Sequence, residues 1–190
     1  MVLISESEKV ANMFSMLRKE LESRKKMMAA CGGSFDSFIR GSEEKRPAIV
    51  IIIQNFAAFT ESYEDYVQET AGLAMDGSRY GIYFVLTAAN ASGVRYRVAQ
   101  NFPSVCALQL NDETDYSIVL GNVGRQYPGK VTGRGIFRNE RVYEFQTAAV
   151  TEGAGGMDEV RAECIRQERE WLSAEGRRRA ERIPILPEKV

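Results

Sequence analysis

The stretch that decides the fold is Ala48-Ile49-Val50-Ile51-Ile52-Ile53, followed directly by Gln54-Asn55. This run is rich in β-branched residues and contains no polar residue in alternate positions. Such a pattern predicts a strand that is buried on both faces, as in the centre of a parallel sheet.

Helical spacing follows this strand. Apolar residues recur at helical intervals across residues 63–74, the polar caps Thr60 and Ser62 precede them, and Gly77 ends the pattern. A second apolar run, residues 81–87, predicts another buried strand. Strand, helix and strand of these lengths predict a βαβ unit with parallel strands.

The remaining segments predict an α/β protein with flanking helices. An amphipathic helix is expected between a capping box at residues 5–8 and a stop at Gly32-Gly33, with the basic residues 24–26 solvated near its end. A third strand is expected at residues 105–110, and an antiparallel hairpin at residues 136–145 should close the edge of a mostly parallel sheet.

Length and composition indicate one soluble domain. Residues 1–150 form its body, residues 151–182 a charged C-terminal helix, and residues 183–190 an extended linker, because two prolines forbid helix there. No apolar run approaches the roughly 18 residues that span a membrane, and no signal peptide is recognisable, so a cytosolic chain is expected.

Composition also excludes several kinds of site. The 190 residues include no histidine, which removes Ser-His-Asp and Cys-His catalysis and every histidine-containing metal site. The three cysteines are far apart and lack any CxxC spacing, so neither zinc nor a disulfide framework is indicated. A net charge of −1 argues against a nucleic-acid surface.

Ligands of α/β sheets bind beyond the carboxyl ends of the strands, which makes Gln54 and Asn55 the first candidate site residues. P-loop nucleoside triphosphatases place an Asp there to hold the Mg²⁺ shell, often followed by a Glu that activates water. A neutral amide can hydrogen-bond a phosphate oxygen or a water, but it cannot neutralise Mg²⁺ or accept a proton. We therefore assign no catalytic residue and no metal ligand, and a purely structural cap on a buried strand stays an alternative.

One segment resembles a phosphate-binding loop only by chance. Residues 124–131 nearly match GxxxxGK[ST], but Val131 replaces the hydroxyl that binds Mg²⁺, and the segment is expected to precede a hairpin rather than a helix. We reject it.

The order of segments resembles the later half of an FtsK/SpoIIIE-type motor ATPase domain, most closely those of the EssC/EccC ATPases of type VII secretion. The matching stretches cover nearly the whole chain: residues 48–56 (similar to a Walker B strand), 77–87, 101–103, 108–116, 120–121, 133–135, 144–146 and 183–188.

This resemblance implies a partial P-loop (RecA-like) core whose Walker A loop lies upstream in a longer polypeptide. It further implies a cytoplasmic domain of a membrane-anchored parent that binds ATP and Mg²⁺, with adjacent ATPase domains in the same polypeptide. A homo-oligomeric ring and secreted helical-hairpin substrates would be its partners, whereas nucleic acid and direct membrane contact are not expected.

The departures from the family concern the nucleotide site. Gln54 stands where the family has its Walker B Asp, and Asn90 lies beside the position of the polar residue that often ends the next strand. Arg79 and Arg134 are candidates for contacts to a phosphate or a neighbouring subunit. The resemblance therefore assigns Gln54, Asn55, Asn90 and Arg134 to cofactor binding in a degenerate site, with no cofactor expected in the isolated chain.

The favoured hypothesis is a degenerate ATPase module that serves assembly and recognition of substrates or partners. The expected surface lies near the hairpin edge of the sheet or at the aromatic residues after the first strand, Phe56, Phe59, Tyr63 and Tyr66. The first alternative is part of an active ATP-driven DNA or protein translocase. The second is an unrelated doubly wound binding module, because a fold does not fix a function.

Overall fold

The computed structural model describes residues 2–44, 46–151, 156–174, 177 and 183. The helices are α1 (Ser7–Ala29), α2 (Phe35–Gly41), α3 (Phe56–Ser62), α4 (Glu64–Gly77), α5 (Tyr96–Ala99), α6 (Glu113–Leu120) and α7 (Met157–Ser173). The strands are β1 (Ile49–Ile53), β2 (Ile82–Leu86), β3 (Cys106–Ala107), β4 (Arg134–Arg138) and β5 (Val142–Gln146). This mixture of helices with a parallel strand pair and an antiparallel hairpin confirms the predicted α/β class.

Helix α1 forms as its apolar spacing predicts, and its buried side chains include Val10, Phe14, Leu17, Leu21 and Met28. The predicted capping box is wrong, because the N-cap residue is Glu6 and its side chain makes no cap hydrogen bond. Its carboxylate instead accepts the Leu3 N–H at 2.7 Å, outside the helix. That bond holds the pKa of Glu6 below its usual value. The predicted stop is confirmed: the helix ends at Ala29, and Gly32 and Gly33 follow with φ of 85° and 69°.

Strands β1 and β2 pair in parallel, with Ile49 opposite Ile82 and Ile53 opposite Leu86. Helices α3 and α4 connect them, which confirms the predicted strand, helix and strand unit. The carboxyl ends of both strands therefore lie at the same edge of the sheet.

Only one face of this strand pair is covered by the described residues. Ile51, Ile53 and Ile82 are buried in one core with α1 and α4, whereas Val50 is 56% and Ile52 is 68% exposed. The prediction that β1 is buried on both faces is therefore wrong for the described chain, because both packing helices lie against the same set of alternate side chains.

Helix α3 was not predicted, and it changes the role of Thr60. The Thr60 hydroxyl donates to the Phe56 carbonyl within this helix at 2.9 Å, so Thr60 is a buried helical residue and not a cap. The chain leaves helical geometry only at Tyr63, whose φ is −139°, and α4 begins at the next residue.

The aromatic residues after β1 belong to the core. Phe56 is fully buried and Phe59 is 7% exposed, and the Phe14 ring of α1 stacks on Tyr66 with centroids 4.5 Å apart. Tyr63 is half-buried against Phe59. The prediction of a partner-binding surface at these aromatics is therefore wrong for Phe56 and Phe59, because α1 covers them.

The later strands form a second sheet of order β3-β4-β5, in which both pairings are antiparallel. The expected third parallel strand at residues 105–110 is reduced to Cys106–Ala107, which pairs with β4 and not with β2. The predicted hairpin is present, but it extends this second sheet and not the β1-β2 pair. Helix α6 packs Tyr116 and Leu120 on it, in a separate small core.

A buried cation joins α1 to the loops before β1 and β2. The Arg24 guanidinium donates to the carbonyls of Pro47 at 2.7 Å and Tyr80 at 2.9 Å, and it pairs with the Glu20 carboxylate at 2.8 Å. Arg24 is only 1% exposed. The expectation of a solvated basic helix end is therefore wrong at this residue, since carbonyl groups from two loops replace its water.

Helix α7 contains no buried residue. Within it, a hydrogen bond from the Arg166 guanidinium to the Glu163 carboxylate lowers the pKa of Glu163 to about 2. The predicted linker at residues 183–190 lies outside the described residues apart from Ile183. Across the described ranges, we find no helix long and apolar enough to cross a bilayer.

Candidate functional site

The site at the carboxyl end of β1 is organised by Asn55. Its backbone is left-handed, with φ of 55°, and its Oδ1 accepts the Ala58 N–H at 3.5 Å as the N-cap of α3. Asn tolerates this conformation better than most residues, and its side chain is a favoured cap. The sharp turn from strand into helix therefore explains Asn55 structurally.

Thr87, directly after β2, fixes this turn to the neighbouring strand. Its hydroxyl accepts the Asn55 N–H at 3.0 Å, and its carbonyl accepts the Phe56 N–H at 2.8 Å. Its own N–H donates to the Ile53 carbonyl at 3.1 Å. Sequence reasoning placed Thr87 at the end of a strand but did not assign it to the site; its hydroxyl at that strand end was the available signal.

Gln54 is the free group of the site. It is exposed, and its amide has no hydrogen-bond partner in the described part of the chain. Asn90 follows Thr87 by three residues and is also exposed, with its Oδ1 accepting the Ser92 hydroxyl at 3.0 Å. The structure therefore places Gln54, Asn55 and Asn90 on segments that leave the same edge of the parallel pair.

Arg134 lies elsewhere, at the start of β4 in the second sheet. Its Nε donates to the Gln146 side chain at 2.9 Å, and an Nη lies 3.5 Å from the Glu144 carboxylate. The structure does not join Arg134 to the amide residues through any described contact, and its cation already has an anionic partner.

Arg79 also serves the fold. Its Nε donates to the Gly33 carbonyl at 2.7 Å, which ties the loop after α1 to the turn before β2.

The chemistry available at Gln54, Asn55 and Asn90 is that of neutral amides. Amides donate and accept hydrogen bonds, but they neither neutralise a cation nor take up a proton near neutral pH. Among the described residues, no group of three or more Cys, Asp or Glu side chains could hold a metal ion. The site can therefore orient a polar group, and it contains no general base.

The near match to a phosphate-binding loop lies in the connection between α6 and β4, as expected. The Gly129 N–H donates to the Glu144 carboxylate at 2.8 Å, and the Gln109 amide donates to the carbonyls of Gly129 and Val131. The Gly129 N–H thus binds an anionic side chain of the chain itself, and no helix follows to face a phosphate.

An open groove lies apart from the candidate residues. It encloses about 350 Å³ beside the β4-β5 turn, and its lining includes Asn122, Gln126, Arg138 and Arg141.

Comparisons with curated proteins find relatives among the proteins of ESX secretion systems. The "ESX secretion system protein YukB" of Bacillus subtilis (strain 168) is 26% identical over 193 residues, which cover 99% of this chain and 13% of YukB. The chain is a homologue of the EssC/EccC ATPases. No family model matches it.

Solved structures agree on the fold. "EssC (ATPases 2 and 3)" from Geobacillus thermodenitrificans superposes with a TM-score of 0.83 at 22% identity, over 97% of this chain and 35% of that one. EccC (ATPases 2 and 3) of Thermomonospora curvata, solved with a signal sequence peptide, superposes with a TM-score of 0.75 at 17% identity, over 96% and 34%. These superpositions confirm the fold that the resemblance to FtsK/SpoIIIE-type ATPase domains predicted.

Proposed function

We propose that this chain is a degenerate FtsK/SpoIIIE-like ATPase module of a type VII secretion motor, acting in assembly and in recognition of substrates or partners. The observation that carries the proposal is the pair Gln54-Asn55 at the carboxyl end of β1. Motor ATPases of this class use an acidic residue at that position to hold Mg²⁺. Here the position offers one exposed amide, followed by an amide engaged in a helix cap.

Two features support loss of hydrolysis over a relocated catalytic group. The Asn55 N–H and Oδ1 are both used in the strand-to-helix turn, at 3.0 Å from Thr87 and 3.5 Å from Ala58. The nearby Asn90 is neutral as well. A substitute base would have to be a titratable side chain within hydrogen-bond reach of the attacking water. Gln54, Asn55 and Asn90 are all neutral amides and cannot act in this way.

The setting of the module is inferred from its homologues. The chain spans 13% of the length of the curated relatives it matches, so ATP, Mg²⁺, ring assembly and a membrane anchor are properties we propose for a longer parent. Adjacent ATPase domains would be its nearest partners. The signal sequence peptide seen with the Thermomonospora EccC supports secreted helical-hairpin proteins as the substrates.

The alternative is a working part of an active translocase, which the likeness to EssC ATPases 2 and 3 favours. In that case Gln54 would act within a site whose acidic group comes from another segment or subunit.

Nucleotide binding by a chimera separates these two functions. In YukB with its 193 aligned residues replaced by this chain, we expect Mg²⁺ to add no affinity for ATP at the replaced domain, and Gln54→Asp to create a Mg²⁺ dependence. Gln126→Asp, a matched change of an exposed loop amide whose side chain makes no hydrogen bond among the described residues, should create none. The proposal would be contradicted if the chimera with Gln54 unchanged bound ATP in a Mg²⁺-dependent way and released phosphate, and if Gln54→Ala removed both properties.

A further inference from the structure

The groove beside the β4-β5 turn contains two cations that the described part of the chain does not neutralise. Arg138 ends β4, Arg141 lies in the turn that follows, and both line the groove. Neither guanidinium forms an ion pair among the described residues, in contrast to Arg134 at the start of the same strand. Both cations are therefore available to a ligand.

Arg138 is held in place by the end of α6. Its Nη1 donates to the Leu120 carbonyl at 3.2 Å, at the last residue of the helix. Gly121 follows with a φ of 74°, and a Cβ at this position would lie 2.6 Å from the same nitrogen. A side chain at residue 121 would therefore displace the guanidinium. The Leu120 carbonyl engages one of the five N–H donors of the group, which leaves the others for the groove.

Part of the lining comes from the start of the segment that nearly matches a phosphate-binding loop. Asn122, Gly124 and Gln126 line the groove, and the Asn122 Oδ1 accepts the Gly124 N–H at 2.9 Å, which turns the loop. Within the described chain, the side-chain N–H groups of Asn122 and Gln126 have no acceptor. These amides therefore add neutral donors to the two cations.

Arg138 also lines a second, more apolar recess. This recess encloses about 230 Å³, and its other lining residues include Pro103, Val105, Val119 and Leu120. All four of these side chains are apolar. A ligand bound at Arg138 therefore has cationic and amide donors in one cavity and hydrocarbon surface in the other.

The charge of the groove indicates which ligands it suits. Its lining contains the two arginines and one carboxylate, that of Glu140, which gives a net charge of +1. A single carboxylate or phosphate balances this charge, and guanidinium groups bind both oxyanions through paired hydrogen bonds. A nucleic acid is disfavoured, because Glu140 and the net charge of −1 of the whole chain oppose a polyanion.

We propose that this groove binds a small molecule with one carboxylate or phosphate at the end of a short apolar chain. The oxyanion binds Arg138 and Arg141, and the amides of Asn122 and Gln126 donate to its remaining oxygens. The apolar chain occupies the recess at Val119. None of these residues belongs to the candidate site at the end of β1, so the inference goes beyond the proposed function and does not depend on it.

Titration of the 190-residue chain with hexanoate and with hexyl phosphate tests the inference. Dissociation constants come from NMR shifts of the arginine Nε–H and Gln126 amide signals. We expect at least one hexyl anion to bind about tenfold or more tightly than hexanol and inorganic phosphate, and the tighter of the two identifies the oxyanion.

Three outcomes of the titration would overturn the inference. Absence of shifts with both hexyl anions would show that the groove binds neither oxyanion. Equal affinity for hexanol would show that the cations have no role. Equal affinity for inorganic phosphate would show that the apolar recess has none.

Variants assign the binding to the groove. Arg141→Gln and Arg138→Gln should each weaken binding of the preferred hexyl anion at least about tenfold, because each removes a charge-assisted hydrogen bond. Arg97→Gln, a matched change of an exposed arginine on α5, should bind like the wild type. Circular dichroism checks the fold of each variant.

The Arg141 variant decides the test, because Arg138 also holds the end of α6 and its replacement can unfold the chain. Equal affinities of folded Arg141→Gln and Arg97→Gln would overturn the inference.

Discussion

The two faces of β1 are made of the same kinds of residue and have opposite environments. Ile51 and Ile53 are each 8% exposed, whereas Ile52 between them is 68% exposed. The neighbouring strand repeats the contrast, because Ile82 is fully buried and Val85 is 44% exposed. Hydrophobic character therefore does not distinguish the two faces, and only the packing helices show which face this chain covers.

The covered face depends on α1. Its apolar stripe at Val10, Phe14 and Leu17 shares one core with Ile51 and Ile82. Substitutions at the anchor of this helix and on each face of β1 therefore test the difference.

The largest effect is expected for Arg24→Ala, which removes the anchor that holds α1 against the loops before both strands. Its loss leaves the partly buried carbonyls of Pro47 and Tyr80 without this donor and empties a buried position in the core, and we expect a loss of about 3–5 kcal/mol in the free energy of unfolding. Urea unfolding followed by circular dichroism measures it. Lys26→Ala, which removes an exposed cation two residues further along the same helix, should cost less than about 1 kcal/mol. Equal losses would show that Arg24 is not an anchor.

A paired substitution compares the two faces directly. Ile51→Ala should cost about 2–4 kcal/mol, because it opens a cavity in the core. Ile52→Ala removes the same atoms from the exposed face of β1 and should cost less than about 0.5 kcal/mol in the free chain. Chemical unfolding of both variants under identical conditions provides the measurement. Similar losses of unfolding free energy would mean that the exposed face of β1 is covered in the free chain.

Thr87→Val tests the link between the two strand ends. The hydroxyl that accepts the Asn55 N–H is replaced by a methyl group, and we expect a loss of about 0.5–1 kcal/mol, since this exposed amide can bond to water instead. Amide exchange at residue 55 should accelerate. Thr87→Ser retains the acceptor and should exchange like the wild type; acceleration in both variants would assign the effect to packing.

The smallest effect is an acid dependence in the second sheet's helix. The Thr114 N–H donates to the Asp112 carboxylate at 2.7 Å and holds the pKa of Asp112 below its usual value. A lowered carboxylate pKa stabilises the fold above the unfolded value of 3.8, and this stabilisation is lost as the pH falls through the folded value.

Asp112→Asn should therefore remove this dependence, because an amide oxygen caps α6 at any pH. Urea midpoints of both proteins at about pH 5 and about pH 2.5 give the comparison. The drop between the two values should be slightly smaller for Asp112→Asn, and an unchanged drop would show that Asp112 does not contribute.

Local patterns explain which elements could be predicted. The spacing of Phe14, Leu17 and Leu21 predicts α1 because helix periodicity is a property of neighbouring residues. The apolar runs around Ile51 and Phe84 predict the parallel pair for the same reason. Helix α3 was missed because it is short. Its seven residues are too few to show a helical period that is separate from that of α4.

The site could be located but not described from the sequence. Strand order placed Gln54 and Asn55 at a carboxyl edge, as the structure confirms. The partners of Asn55 could not be predicted, because Thr87 is 32 residues away and meets it only when β2 pairs with β1. The partners of Arg24 and Arg134 could not be predicted either. The sequence suggested a solvated Arg24 and a ligand-binding Arg134, whereas the fold places carbonyl groups beside Arg24 and a carboxylate beside Arg134.

The sequence by itself determined α1, the parallel strand pair and the hairpin, the absence of histidine, the neutral amides directly after β1, and the likeness to secretion ATPases. These depend on residue identity and short-range spacing, which folding does not alter. Only the tertiary structure decided that Arg24 is buried, that the hairpin belongs to a second sheet, and that Val50 and Ile52 face outward. Burial and pairing are relations between segments far apart in the chain, and the same isoleucine is core or surface according to whether a helix packs on its side of the strand.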